Sequence, residues 1–110
     1  MRAQRILVVG ADGLVGHALA QKLEEAGHIV YRTSRRIQES HGNRLPLDLA
    51  GDIEAFPIPR LLDIAYICAG VTTYTACEAN LSYSTLVNVT HTQHLVRRLM
   101  GYGIFTVFPS

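Results

Sequence analysis

The chain has 110 residues, enough for one small domain and too few for two. Its 48% hydrophobic and 17% charged residues fit a globular chain rather than a disordered one, and a net charge of +1 gives no electrostatic reason to expect nucleic acid as a partner. No apolar run nears the roughly 20 residues that span a bilayer, and Ile6–Val9 is too short for the apolar part of an export signal. With only Cys68 and Cys77, the expectation is a single cytoplasmic domain with free thiols.

In chain order, Ile6-Leu7-Val8-Val9 is a continuous, mostly β-branched run ending at Gly10, the pattern of a strand buried on both faces of a parallel sheet. Leu14, Val15, Ala18, Leu19 and Leu23 recur at helical spacing, with Gly27 placed as a C-terminal cap. Ile29–Tyr31 predicts a second strand, and polar Thr33–Arg44 a loop. Leu45–Leu49 predicts a short third strand with Pro46 near its start, and Gly51–Arg60 a short helix stopped by Pro57 and Pro59. Ile64–Ala69 predicts a fourth strand ending at Gly70. Tyr83–Met100 predicts a long helix with Leu86, Val89, Gln93, Val96 and Met100 on one side, and Ile104–Phe108 a fifth strand.

Strands alternating with helices imply right-handed crossovers and a parallel sheet. The expected fold class is α/β, a Rossmann-type doubly wound sheet of about five strands in the order 3-2-1-4-5 with helices on both faces. Its ligand crevice would lie between the carboxyl ends of strands 1 and 4. The chain stops just after a predicted inner strand, so residues 1–110 read as the truncated N-terminal part of a longer protein.

Gly10-Ala11-Asp12-Gly13-Leu14-Val15-Gly16 lies between the first strand and the first helix, the setting in which a glycine fingerprint marks a nucleotide site. Gly10 would permit the turn, Gly13 would let the backbone approach a pyrophosphate, and Gly16 would let helix and strand pack closely. The helix N-terminus would offer its unpaired N–H groups to phosphate oxygens. Asp12 could cap that helix, provided its carboxylate turns away from the phosphates.

The Gly-x-x-Gly-x-x-Gly spacing resembles the fingerprint of the extended and atypical short-chain dehydrogenases/reductases, in particular nucleotide-sugar epimerases and dTDP-4-dehydrorhamnose reductases. Ala26-Gly27-His28, Asp48-Leu49, Cys68-Ala69-Gly70 and Asn88-Val89-Thr90 agree with it, the last with His91 and Thr92 in place of the family's Gly-Thr. The resemblance covers the whole chain. It implies that Asp48 and Leu49 sit beside an adenine and that Cys68, Ala69, Gly70 and Val71 line the adenosine and ribose side, with Asn88 also at the cofactor.

Sites specific for NAD place an acid at the end of strand 2 to hold the ribose hydroxyls. Here that region reads Thr33-Ser34-Arg35-Arg36, with no carboxylate before Glu39. An arginine can grip a 2′-phosphate bidentately. Ser34, Arg35 and Arg36 therefore predict NADP ahead of NAD.

Other residues predict no special chemistry. His91 and His94 lack a third ligand at metal spacing and read as surface or capping residues, with no metal expected. His17 and His28 read as surface residues beside the first helix. Cys68 reads as a small buried strand residue, and Cys77 has no assignment. Arg97 and Arg98 complement a helix dipole.

The resemblance also implies hydride transfer by a Ser/Thr and a Tyr-x-x-x-Lys pair, which is absent: the sole lysine is Lys22. Phe108-Pro109-Ser110 resembles the start of the family's serine cluster, but Ser110 receives no catalytic role, and the catalytic residues stay unassigned. Three readings remain open. One is the cofactor-binding portion of an NADP-dependent reductase, epimerase or dehydratase acting on a nucleotide-sugar-like substrate, with the substrate site in a missing C-terminal part and a homodimer compatible. Another is a non-catalytic, redox-sensing dinucleotide module, and the third a fragment that binds nothing tightly alone.

Overall fold

The computed structural model describes residues 2–49, 51–68 and 90–108. The apolar run forms β1 (Arg5–Val9), whose Ile6, Leu7, Val8 and Val9 are almost wholly inaccessible. It can be buried on both faces because it lies at the centre of the sheet. It pairs in parallel with β2 (Ile29–Ser34) through Ile6↔Val30 and Val8↔Arg32. On its other side lies β4 (Ile64–Ile67), paired through Leu7↔Ala65 and Val9↔Ile67. The short strands β3 (Arg44–Pro46) and β5 (Phe105–Val107) flank these, giving the order β3-β2-β1-β4-β5, all parallel. This is the Rossmann-type order expected from the sequence.

The period of two along β1 divides the core between the two faces. Ile6 and Val8 pack with Ala11, Val30 and Ala20, the last on α1 (Leu14–Glu25). Leu7 and Val9 join a larger cluster that includes Phe56, Ile67 and Ile104, together with Leu95 and Leu99 of α2 (Thr92–Gly101). Each such side chain contributes about 1.5–3 kcal/mol on burial, so β1 is the strand on which both layers depend.

The apolar periodicity of α1 predicts the helix but not its buried face. Leu14 is 90% and Val15 59% exposed, and Ala18 is exposed too; the residues buried on the sheet are Gly16 and Ala20. Small residues win because the helix lies close to the β1 turn, leaving the larger side chains to Leu19 and Leu23 at the margins. The helix ends as expected at Gly27, whose φ of +93° suits glycine. The N–H of Gly27 donates to Glu24 O and that of His28 to Leu23 O, a Schellman pair that satisfies two carbonyls of the last turn.

Four sequence expectations need correction. Thr33 and Ser34 belong to β2, buried to 1% and 3%, because their hydroxyls find partners inside the fold. Arg44 opens β3 and Pro46 ends it, so the proline closes this edge strand. Between Ile53 and Ala55 there is only a 3-10 turn, its first residues held by Asp52 Oδ1 accepting from Glu54 N–H at 3.0 Å. In the described part of the last helix the buried residues are Leu95 and Leu99, whereas Met100 and Gln93 are exposed. Of the predicted stripe, Val96 is half-buried against the core, while Leu86 and Val89 lie outside the described residues. His28 is half-buried, with Nδ1 accepting from Gln4 N–H at 3.0 Å.

The β2–β3 connection, residues 35–43, contains no helix. A pair of 2.9 Å backbone hydrogen bonds between His41 and Arg44 turns the chain back into β3. The α1 face of β2 is therefore left open as a groove of about 770 Å³ whose lining includes Asp12, Val30, Ser34 and Arg44.

Arg98, predicted only to complement the helix dipole, ties α2 to the 3-10 turn. Its Nη1 donates to Ile53 O at 2.8 Å and to Phe56 O at 2.7 Å. Hydrogen bonds from a charged donor to half-buried carbonyls are of the stronger kind. We expect Arg98→Met, which keeps the apolar stem, to lower the unfolding free energy by about 2 kcal/mol, read as a reduced urea midpoint at unchanged m value.

Candidate functional site

Because β1 to β4 run parallel, the residues that follow them meet along one edge of the sheet. The glycine turn after β1 stands at the centre of that edge. Gly10 has a φ of +82°, in the left-handed region, and its N–H donates to Thr33 Oγ1 at 2.9 Å. The next amide, of Ala11, donates to Thr33 O at 3.1 Å. One residue at the end of β2 thus holds both amides of the turn. Sequence reading placed Thr33 in a loop and missed this role. The available signal was a β-branched hydroxyl residue directly extending the Ile29–Tyr31 run.

The other two glycines differ in what the protein requires of them. A Cβ on Gly16 would lie 2.3 Å from Gly10 O and 3.1 Å from Ala11 Cα, so the packing of α1 on the turn excludes any side chain there. Gly13, the N-cap of α1, has φ −74° and ψ 166°, which any residue adopts. A Cβ on it would meet only Gly10 O at 3.7 Å, an ordinary contact. Neither backbone conformation nor internal packing explains a glycine at 13. No side chain caps the helix that it starts, and no acidic residue lies in its first turn. The first N–H groups of a helix have no intrahelical acceptors, so α1 presents donors and a partial positive charge at this edge.

Asp12 is turned away from those donors. Its carboxylate accepts the Ser34 hydroxyl, and its Oδ1 is 3.8 Å from Arg44 Nη2. Ser34 Oγ in turn accepts from the Arg36 N–H at 3.0 Å. The side chains of Arg35 and Arg36 are exposed and have no ion-pair partner among the described residues. Arg44, which sequence reading assigned to the loop, joins this cluster from β3.

Leu47 N–H donates to Ser34 O at 3.0 Å, which brings Asp48 and Leu49 to the same edge. Asp48 is exposed, whereas Leu49 is 9% exposed and part of the core cluster. Cys68 follows β4, with its N–H donating to Val9 O at 2.9 Å. Burial pushes its thiol pKa up, so the group stays neutral, in keeping with a structural cysteine. Ala69, Gly70, Val71 and Asn88 lie outside the described residues, as do Cys77 and Ser110.

The histidines of α2 have separate partners. His91 Nδ1 hydrogen-bonds Leu49 O, and His94 Nε2 lies 2.5 Å from Glu54 Oε2. Among the described residues no group of three His, Cys, Asp or Glu side chains could hold a metal. None of the described helices is long and apolar enough to cross a membrane.

A parallel 3-2-1-4-5 sheet with a glycine turn entering the first helix defines a Rossmann-type fold. A family model described as the NAD dependent epimerase/dehydratase family matches residues 6–110, and the chain belongs to that family.

Among solved structures, the chain is similar to a short-chain dehydrogenase/reductase superfamily protein from Agrobacterium tumefaciens with bound NAD. The identity is 22% and the TM-score 0.74, over 94% of this chain and 31% of that one. It is also similar to a hypothetical dTDP-4-dehydrorhamnose reductase from Sulfolobus tokodaii, with 22% identity and a TM-score of 0.74 over 94% of this chain and 38% of that one. A UDP-glucose 4-epimerase from Thermotoga maritima, determined with UDP-glucose, shows 17% identity and a TM-score of 0.75 over 94% of this chain and 37% of that one. The chain thus spans well under half the length of these proteins. No curated protein sequence matches it.

The two glycines separate in a stability measurement. Gly16→Ala is expected to cost about 3 kcal/mol, because the helix must move off the turn. Gly13→Ala should cost less than about 1 kcal/mol, the difference between glycine and alanine at an N-cap. Urea unfolding of the two variants side by side checks this.

Proposed function

We propose that this chain is the cofactor-binding portion of an NADP-dependent reductase, epimerase or dehydratase acting on a nucleotide-sugar-like substrate. The observation that carries the reading is Gly13, a glycine that the fold itself does not need, at the start of a helix whose first amides are uncapped. A dinucleotide pyrophosphate is the ligand that would make a side chain there intolerable. Its oxygens would take the helix N–H groups while the backbone of Gly13 passes close beside them.

In this reading the residues at the turn, Gly10 to Gly16, hold the pyrophosphate. Ser34, Arg35 and Arg36 face the 2′ position of the adenosine ribose. Asp48 and Leu49 lie towards the adenine, Cys68, Ala69, Gly70 and Val71 line the adenosine and ribose side, and Asn88 is also at the cofactor. The bound dinucleotide would supply the hydride acceptor or donor. What supports NADP over NAD is the absence of an acid within the last residues of β2, together with two exposed arginines directly after it.

The relatives named above include proteins described with NAD or with a nucleotide sugar, which supports the reaction class. Their greater length leaves room for a substrate site outside these residues. The Tyr-x-x-x-Lys pair expected from the resemblance has no counterpart in this chain. Turnover is accordingly proposed for a longer protein in a cytoplasmic setting, and binding alone for these 110 residues.

Two substitutions test the site by calorimetric titration. Gly13→Val should weaken NADP and NAD alike, by tenfold or more if the side chain displaces the pyrophosphate by about 1 Å; unchanged affinity would reduce the turn to a structural feature. Arg35→Ala should weaken NADP by about tenfold or more, the worth of a charge-assisted phosphate contact, and NAD by much less. Equal losses would remove the 2′-phosphate from the role of Arg35.

A further inference from the structure

The acid that the end of β2 lacks in sequence is present there in space. Asp12 comes from the glycine turn, twenty-two positions before Ser34, yet its carboxylate accepts the Ser34 hydroxyl and so stands at the carboxyl end of β2. Ser34 is 3% exposed and its hydroxyl is used twice, donating to Asp12 and accepting from the Arg36 N–H. Arg44 approaches the same carboxylate at 3.8 Å, too far for a hydrogen bond and partly exposed, so it offsets the charge only weakly. The open β2–β3 groove reaches this cluster, leaving Asp12 within reach of a ligand.

From this arrangement we infer that Asp12 is a specificity-determining residue, one that restrains the preference for a 2′-phosphorylated dinucleotide. The inference rests on the dinucleotide reading above. A carboxylate at the end of β2 can accept hydrogen bonds from ribose hydroxyls, and it repels a phosphate dianion in the same place. It also occupies the one proton that Ser34 could donate to a 2′-phosphate. Arg35 and Arg36 attract that phosphate while Asp12 opposes it, so the chain binds both dinucleotides with a narrower ratio than its arginines alone would give.

The test is calorimetric titration of NADP and NAD into the full chain and into Asp12→Asn, Asp12→Ala and Asp12→Glu. The Asp12 side chain is 27% exposed and accepts the hydroxyl of buried Ser34, a contact that Asp12→Asn can keep through its amide oxygen; thermal unfolding of each variant verifies that it folds. The expected result is an NADP-to-NAD affinity ratio raised about tenfold in the Asn and Ala variants, the scale of one charge pair near a protein surface. In Asp12→Glu, which keeps the charge, the ratio should stay within about threefold of the parent. A ratio unchanged or lowered in the Asn and Ala variants, with both dinucleotides still binding, would overturn the inference and leave the dinucleotide reading standing. No binding of either dinucleotide by the parent or any variant would overturn both.

Discussion

The approach of α1 to the turn after β1 sets the rest of the molecule. With no side chain at Gly16, the helix axis comes down until the position of a Cβ would fall 2.3 Å from a backbone carbonyl. That proximity fixes where the helix begins, and so where its amides point. The residues of the helix buried beneath it are the small ones, Gly16 and Ala20. Thr33 secures the turn from the opposite side by accepting from two successive amides. A buried hydroxyl that satisfies a buried amide removes two desolvation costs at once.

Much of this was legible in the sequence for physical reasons. Four apolar residues ending at a glycine can scarcely be anything but an inner strand, and a full parallel order follows from alternation and handedness. The burial of α1 was not legible, because hydrophobic periodicity finds the face richest in large apolar groups, and here the contact face is made of small ones. Thr33 and Ser34 were hidden for a related reason. Polar residues at a strand end look like loop until their partners are known, and those partners lie more than twenty positions away in sequence.

The candidate site shows the same division. The order of the glycines could be read directly, and so could the basic character of Ser34-Arg35-Arg36. The position of Asp12 could not. Its sequence neighbours are the glycines, which suggest a helix cap, whereas its spatial neighbours are Ser34 and Arg44. The local field at the end of β2 is therefore a property of three separate segments, and no single window of sequence contains it.

The helix-free β2–β3 connection carries a consequence for how such a protein can change over generations. Residues 35–43 bury little; their ties to the sheet lie at the far end, in the His41–Arg44 turn and in Asn43 O, which accepts from the Arg32 N–H at 2.7 Å. Thr33 and Ser34, immediately before them, are locked into the fold. The boundary between a constrained and an unconstrained stretch thus falls between Ser34 and Arg35. Substitutions on the outer side of it encounter weak purifying selection from stability. Ligand preference could drift or be retrained there while the scaffold stays intact, which makes this connection the segment where divergent descendants should differ first.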